Sequence, residues 1–214
     1  MKNTNCLITK WAGCFVVTLA IALATGCHRA SERDSADTDS TADATPATPA
    51  TAPVPAPPAP PAAVTPPVRI KAGVTEPMKD SAGNVWLPDQ GFADGQTYAV
   101  TNAAITNTPN QALYLTERYS MTAYHFMVPN GKYTVKLHFA EVYSGITEAG
   151  QRVFSFNVQG HEFKDFDIWV KAGGFSKAYV ESVNVEVTDG KLNITFTPTM
   201  ENPKVNAIEI LPRT

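Results

Sequence analysis

Two aspartates two residues apart, Asp165 and Asp167, are the nearest thing in this chain to a catalytic pair. On an extended segment they would share a face, as two carboxylates must to cleave a glycosidic bond or hold a calcium ion. Interleaved with Phe166 and Ile168, they fit the solvated edge of a strand more simply. His125, His138 and His161 show neither H-x-H nor H-x-x-x-H spacing, so no metal centre and no cofactor is expected. His138 falls on the polar phase of its segment and reads as a surface histidine. The cysteines, Cys6, Cys14 and Cys27, all lie near the N-terminus, which leaves the rest of the chain without a disulfide, a thiolate metal site or a cysteine nucleophile. There is no G-x-S-x-G elbow, phosphate loop or dinucleotide fingerprint. An enzyme is not supported by these residues.

Tyrosine is the type that concentrates where chemistry is wanted. Tyr98, Tyr114, Tyr119, Tyr124, Tyr143 and Tyr179 fall where strands end and loops begin, while Tyr133, in phase with Val135 and Leu137, belongs to the core. A sugar ring has an apolar face of C–H groups and a rim of hydroxyls, so its receptor needs flat aromatic surfaces with donors and acceptors at their edges. Tyrosine offers both in one side chain. Residues 68–214 hold 13 basic against 15 acidic side chains with no basic run, which argues against a nucleic-acid partner.

The elements that must position these tyrosines read as strands. Tyr133, Val135, Leu137 and Phe139 alternate with polar neighbours, as do Phe154, Phe156 and Val158. Three turn signals, Pro129-Asn130-Gly131, Gln159-Gly160 and Thr188-Asp189-Gly190, each predict a hairpin between flanking strands. Residues 73–112, rich in Gly, Asn, Asp and Pro, predict long loops with short strands. An all-β antiparallel sandwich over residues 68–214 follows.

Composition divides the rest of the chain. Residues 41–67 contain 10 Pro, 9 Ala and 5 Thr, too few large apolar groups to order themselves, so residues 27–67 are expected to form a disordered tether. Its Pro-rich part would reach roughly 80 Å when extended. Lys2 and Lys10 precede the mostly apolar run Trp11 to Ala24, the layout of a secretory signal over residues 1–26. Leu23-Ala24-Thr25-Gly26-Cys27 resembles the bacterial lipoprotein signal, with Cys27 as the lipid-bearing residue that anchors the chain to a membrane. Export to a bacterial envelope as an outer-membrane lipoprotein is the expectation, and a soluble periplasmic protein the alternative.

Several words occur in the order found in malectin: Arg69-Ile70-Lys71-Ala72-Gly73, Leu113-Tyr114-Leu115-Thr116-Glu117-Arg118-Tyr119, Leu137-His138-Phe139-Ala140-Glu141-Val142-Tyr143, Val153 to Val158, and Glu201-Asn202-Pro203-Lys204-Val205-Asn206-Ala207. Residues 68–214 therefore resemble a malectin-like carbohydrate-binding domain. That resemblance implies a jelly-roll sandwich whose loops at one end bind glucose disaccharides such as maltose and nigerose, without catalysis. It places sugar contacts on Tyr98, Tyr119, Tyr143 and the carboxylate of Glu201, with Ser144 standing where the family has a further aromatic. Glu117 and Arg118 read as an ion pair supporting the loop beneath Tyr119. Two alternatives stay open: a structural or adhesion lipoprotein whose loops hold an envelope protein, and a minimal glycan-cleaving enzyme using Asp165 or Glu201. A separate glycosidase working beside the domain is a further partner that the resemblance suggests.

Overall fold

In the computed structural model, which describes residues 62–214, the period-two segments become strands of two facing sheets. One is five-stranded, in the order β1 (Ala62–Ala63), β7 (Ala123–Met127), β12 (Lys191–Met200), β9 (Val153–Val158) and β10 (His161–Phe166). The other runs β11 (Ala178–Val187), β8 (Gly131–Ala140), β14 (Ala207–Pro212) and β2 (Val68–Lys71). All their pairings are antiparallel except that of β1 with β7. The described residues form an all-β antiparallel sandwich.

Alternation sets which side chains fill it. Tyr133, Val135, Leu137 and Phe139 point inward from β8 and meet Phe154, Phe156 and Val158 of β9 and Leu192, Ile194 and Phe196 of β12. Phe139 and Phe166 sit with ring centroids 4.9 Å apart, and Phe156 stacks on Phe163 at 4.5 Å. Each such buried side chain contributes about 1.5–3 kcal/mol of transfer free energy.

Only one of the three turn signals makes a hairpin. Gln159-Gly160 joins β9 to β10, which pair directly, His161 opposite Val158. The turns at 129–131 and 188–190 instead carry the chain from one sheet to the other, between β7 and β8 and between β11 and β12. They lie side by side and share hydrogen bonds: Asn130 Nδ2 donates to the Thr188 carbonyl at 2.9 Å, and Gly190 N–H donates to Asn130 Oδ1 at 2.7 Å. A tight turn constrains reversal of the chain, not the sheet to which it returns. The expected boundary at residue 68 also shifts: Ala62 and Ala63 pair with β7, and Val64, 9% exposed, donates to the Met127 carbonyl at 3.0 Å. Residues 62–67 thus belong to the fold, because Val64 has a core to enter. Cys27, the signal segment and the tether up to residue 61 lie outside the described residues.

The 73–112 region does hold short elements, β3 (Met78–Lys79), β4 (Val85–Trp86) and β5 (Gln96–Ala99), followed by a 3-10 helix, Gln111–Tyr114. It covers the outer face of the β8–β14 sheet with Trp86, Ile105 and Leu113. Asp80 fastens it: Oδ2 accepts from Trp86 Nε1 at 3.0 Å and Asn84 Nδ2 at 2.9 Å, and Oδ1 from the Ala82 and Asn84 amides. Desolvation opposes the charge, yet these donors hold the carboxyl at about 2, below its ordinary 3.8. Since the folded value is the lower one, the stabilisation is complete above the unfolded value and is lost as pH falls through the folded one. The Trp86 indole N–H resonance should accordingly move on acidification with its midpoint near pH 2. A resonance unchanged down to pH 2 would contradict this role for Asp80.

Candidate functional site

A small three-stranded sheet builds the site: β5 pairs with β6 (Thr116–Tyr119), which pairs with β13 (Lys204–Val205). Along β6 the period of two puts Glu117 and Tyr119 on one face and Arg118 on the other. Register places Tyr98 opposite Glu117, and both Gln96 and Lys204 opposite Tyr119. Beyond the end of β8 the chain continues through Glu141 to Tyr143. A cleft of about 170 Å3 opens here, lined by Tyr98, Glu117, Tyr119, Tyr143, Arg152 and Glu201.

Two buried ion pairs form its floor. Lys204, fully buried, bonds Glu117 Oε2 and the Ala140 carbonyl. Arg152 donates from Nε to Glu141 Oε2 at 2.7 Å and from Nη1 to the Asn202 carbonyl. Burial pushes the Glu117 carboxyl above its ordinary value, with the Lys204 ammonium beside it pulling the other way. Beneath them Lys71 Nζ donates to the carbonyls of Ala72, Thr116 and Asn206 at 2.7, 2.8 and 2.9 Å, tying β2 to β6. Burial draws its ammonium down to about 7, against the pull of Asp89 and Glu117. Asn206 completes the frame: its Oδ1 accepts from Ala140 N–H at 2.8 Å and its Nδ2 donates to the Thr116 carbonyl at 2.9 Å.

The walls are aromatic. Tyr98 and Tyr143 meet edge to face, ring centroids 5.8 Å apart and planes at 87°, a favoured geometry for two rings. Tyr119 Oη donates to Gln96 Oε1 at 2.7 Å, which fixes that ring's azimuth. Tyr143 is 41% exposed and lies directly over Gly145, where an added Cβ would come within 2.5 Å of the ring's Cε1. Gly145→Ala must therefore displace the Tyr143 ring. If that ring contacts a ligand, the change should weaken binding about 3-fold to 10-fold while leaving the melting temperature nearly unchanged, as calorimetry and thermal unfolding would show. Glu201 sits at φ 59°, in the left-handed region that a non-glycine residue enters only when its surroundings impose it.

The family profile described as Malectin domain matches residues 67–208, more than half of the chain. The chain belongs to the malectin family. Malectin-B of Xenopus laevis is 35% identical over 127 residues, which cover 51% of this chain and 45% of that protein. Malectin of Homo sapiens is also 35% identical over 127 residues, covering 51% of this chain and 42% of its own. The chain thus spans less than half the length of these relatives. Among solved structures, a Bacteroides uniformis beta-glucuronidase superposes with a TM-score of 0.62 at 19% identity, over 69% of this chain and 18% of that enzyme. At that identity the likeness shows the fold alone. Membership places a malectin domain at residues 67–208.

Within this malectin domain the structure sorts the sequence candidates. Tyr98, Tyr119, Tyr143 and Glu201 come together at the cleft, with Glu117 beneath. Arg118 does not join them and does not pair with Glu117. It faces the opposite side of β6, donates to Asp89 Oδ2 at 2.7 Å and covers the Phe92 ring at 3.3 Å, as alternation along a strand requires. Tyr114 and Tyr124 are core residues, and Tyr179, half-buried, bonds Glu181 at 2.7 Å. His138 is not a surface histidine: the loops of the 73–112 region cover it, so that it lies between Tyr114 Oη and Glu209 Oε1, each at 3.0 Å. Asp165 and Asp167 form no pair, because Asp165 sits at φ 49° in an irregular stretch of β10 while Asp167 caps the short helix α1 (Ile168–Ala172) and accepts from Gly150 N–H at 2.6 Å. Arg152 escaped the sequence reading, since a lone arginine after Gly150-Gln151 carries no local signal and its partner Glu141 is brought to it only by closure of the intervening loop.

Proposed function

We propose that this malectin domain binds a neutral oligosaccharide in the cleft, with Tyr119 and Tyr143 presenting ring faces to a pyranose, Tyr98 bracing Tyr143 and Glu201 accepting from sugar hydroxyls. The carrying observation is that side chains from β5, β6, the loop after β8 and the loop before β13 line one cleft with aromatic walls and a carboxylate at the rim. Glycoside hydrolysis would need two working carboxylates. Of the two that line the cleft, Glu117 is bonded to Lys204, which leaves Glu201.

Glucose disaccharides are the first ligands to try, by family likeness, and Ser144 in place of an aromatic leaves one ring face fewer to hold them. Calorimetric titration with maltose and nigerose at low and high salt tests the reading. Binding by stacking and hydroxyl contacts should change little with salt, whereas a charged envelope-protein partner would be screened. Failure of both sugars and of a neutral glycan array would refute it.

We also propose that the chain is an exported lipoprotein held to a bacterial envelope through Cys27, with the stretch from Cys27 to residue 61 as its tether and a separate glycosidase as a working neighbour. The support is the apolar run Trp11 to Ala24 ending at Gly26-Cys27, and the Pro-Ala-Thr stretch behind it. Cys27→Ser should move the protein from the membrane fraction to the soluble one. An unmutated chain that is already soluble would contradict the anchor.

A further inference from the structure

Arg152 is a charged side chain of the cleft whose donors are not used up by the fold. It stands one residue before β9 and is 4% exposed. A guanidinium carries five N–H donors in a fixed fork. Here Nε is bonded to Glu141 and Nη1 to the Asn202 carbonyl. Among the described residues no buried side-chain nitrogen lacks a partner, so the remaining edge of Arg152 reaches open space, and the open space that this buried side chain lines is the cleft. On the same turn Glu201 is exposed, and its Oε2 receives a long 3.4 Å contact from Asn202 Nδ2. Because Arg152 bonds the carbonyl of Asn202, the residue after Glu201, a donor and an acceptor are tied to one stretch of backbone.

We propose that Arg152 is a specificity-determining residue of this site: its free N–H edge donates to one hydroxyl oxygen of the bound sugar while Glu201 accepts from the neighbouring hydroxyl. The proposal rests on the carbohydrate reading above and adds what orients the ring. Aromatic walls hold a C–H face but tolerate its rotation in plane, and a paired donor and acceptor do not. Glu141 already neutralises the Arg152 charge at 2.7 Å, and Glu201 would repel a second carboxylate, so the pair fits hydroxyls of a neutral ring and disfavours an acidic group there.

The test is calorimetry of the full chain with whichever of maltose and nigerose binds better, and with its singly deoxygenated derivatives. Two derivatives lacking adjacent hydroxyls of one ring should bind about 10-fold or more weakly than the parent sugar, the scale of a lost hydrogen bond to a charged group, and the others should bind like it. Arg152→Lys keeps the charge beside Glu141 and loses the fork. It should weaken the parent sugar about 10-fold, with no further loss on one of the two sensitive derivatives. Equal binding of every derivative by the unmutated chain would overturn the proposal without any variant having to fold. A folded Arg152→Lys that binds the parent sugar normally would overturn it as well. If binding needs Tyr119 but not Arg152, only this inference falls. If the chain binds no neutral saccharide, the carbohydrate reading falls and this inference with it.

Discussion

Lys204→Met is expected to remove about 3–5 kcal/mol of folding stability, the cost of leaving one member of a buried ion pair behind. Glu117 is 2% exposed, and the Lys204 ammonium is the cation bonded to it. Methionine fills the space of the lysine stem but gives Glu117 Oε2 and the Ala140 carbonyl no donor. The loss should depend on pH in a definite direction. Burial already raises the Glu117 carboxyl, and removing the cation raises it further. A group whose folded value lies above its unfolded one favours the fold below the unfolded value and loses that contribution as pH rises through the folded one. The deficit of Lys204→Met should therefore be larger at pH 7.5 than at pH 5, and Glu117→Gln added to it should recover part of the loss at pH 7.5. Urea denaturation of the three chains at both pH values checks this. Equal deficits at the two pH values would show that the pair is not what the lysine supplies.

Tyr119→Ala and Tyr143→Ala are each expected to cost about 1–3 kcal/mol of saccharide binding, roughly a 5-fold to 150-fold loss of affinity, while the fold stays intact. The two should differ in character. Tyr119 is half-buried with its hydroxyl on Gln96, so its ring is preorganised and its removal should act mainly on dissociation. Tyr143 is more exposed and depends on Tyr98 for its edge-to-face support, so Tyr98→Ala should reproduce part of the Tyr143→Ala loss. Calorimetry on the three variants, with melting temperatures measured alongside, separates lost contacts from lost structure. Full affinity in both Tyr119→Ala and Tyr143→Ala would place the site elsewhere.

Local order was legible where one face of a strand meets one core. The alternation in Tyr133 to Phe139 and in Phe154 to Val158 names both the strands and the side chains that enter the sandwich. Sheet membership was not, because Asn130 and Asp189-Gly190 mark reversals whose two arms enter different sheets, and that depends on pairings distant in sequence such as β8 with β14. The same limit applies at the site. Tyr119 and Glu117 share a face by local alternation, whereas the partners of Glu117, Arg118 and Arg152 are Lys204, Asp89 and Glu141, brought in by tertiary closure. His138 looked exposed because its phase is polar, yet the covering loops around Trp86 turn that face into a second interior.

The most direct test of a saccharide site at this cleft is a two-dimensional NMR titration of the isotope-labelled protein with maltose, following backbone amides and the arginine Nε–H groups. Saturable shifts should centre on Tyr98, Tyr119, Tyr143 and Glu201, with the Arg152 Nε–H among the largest, and the Trp86 indole, bonded to Asp80 on the loop outside the β8–β14 sheet, should stay still. Saturable binding whose shifts gather around Trp86 and His138 instead, with the three cleft tyrosines unmoved, would contradict the account.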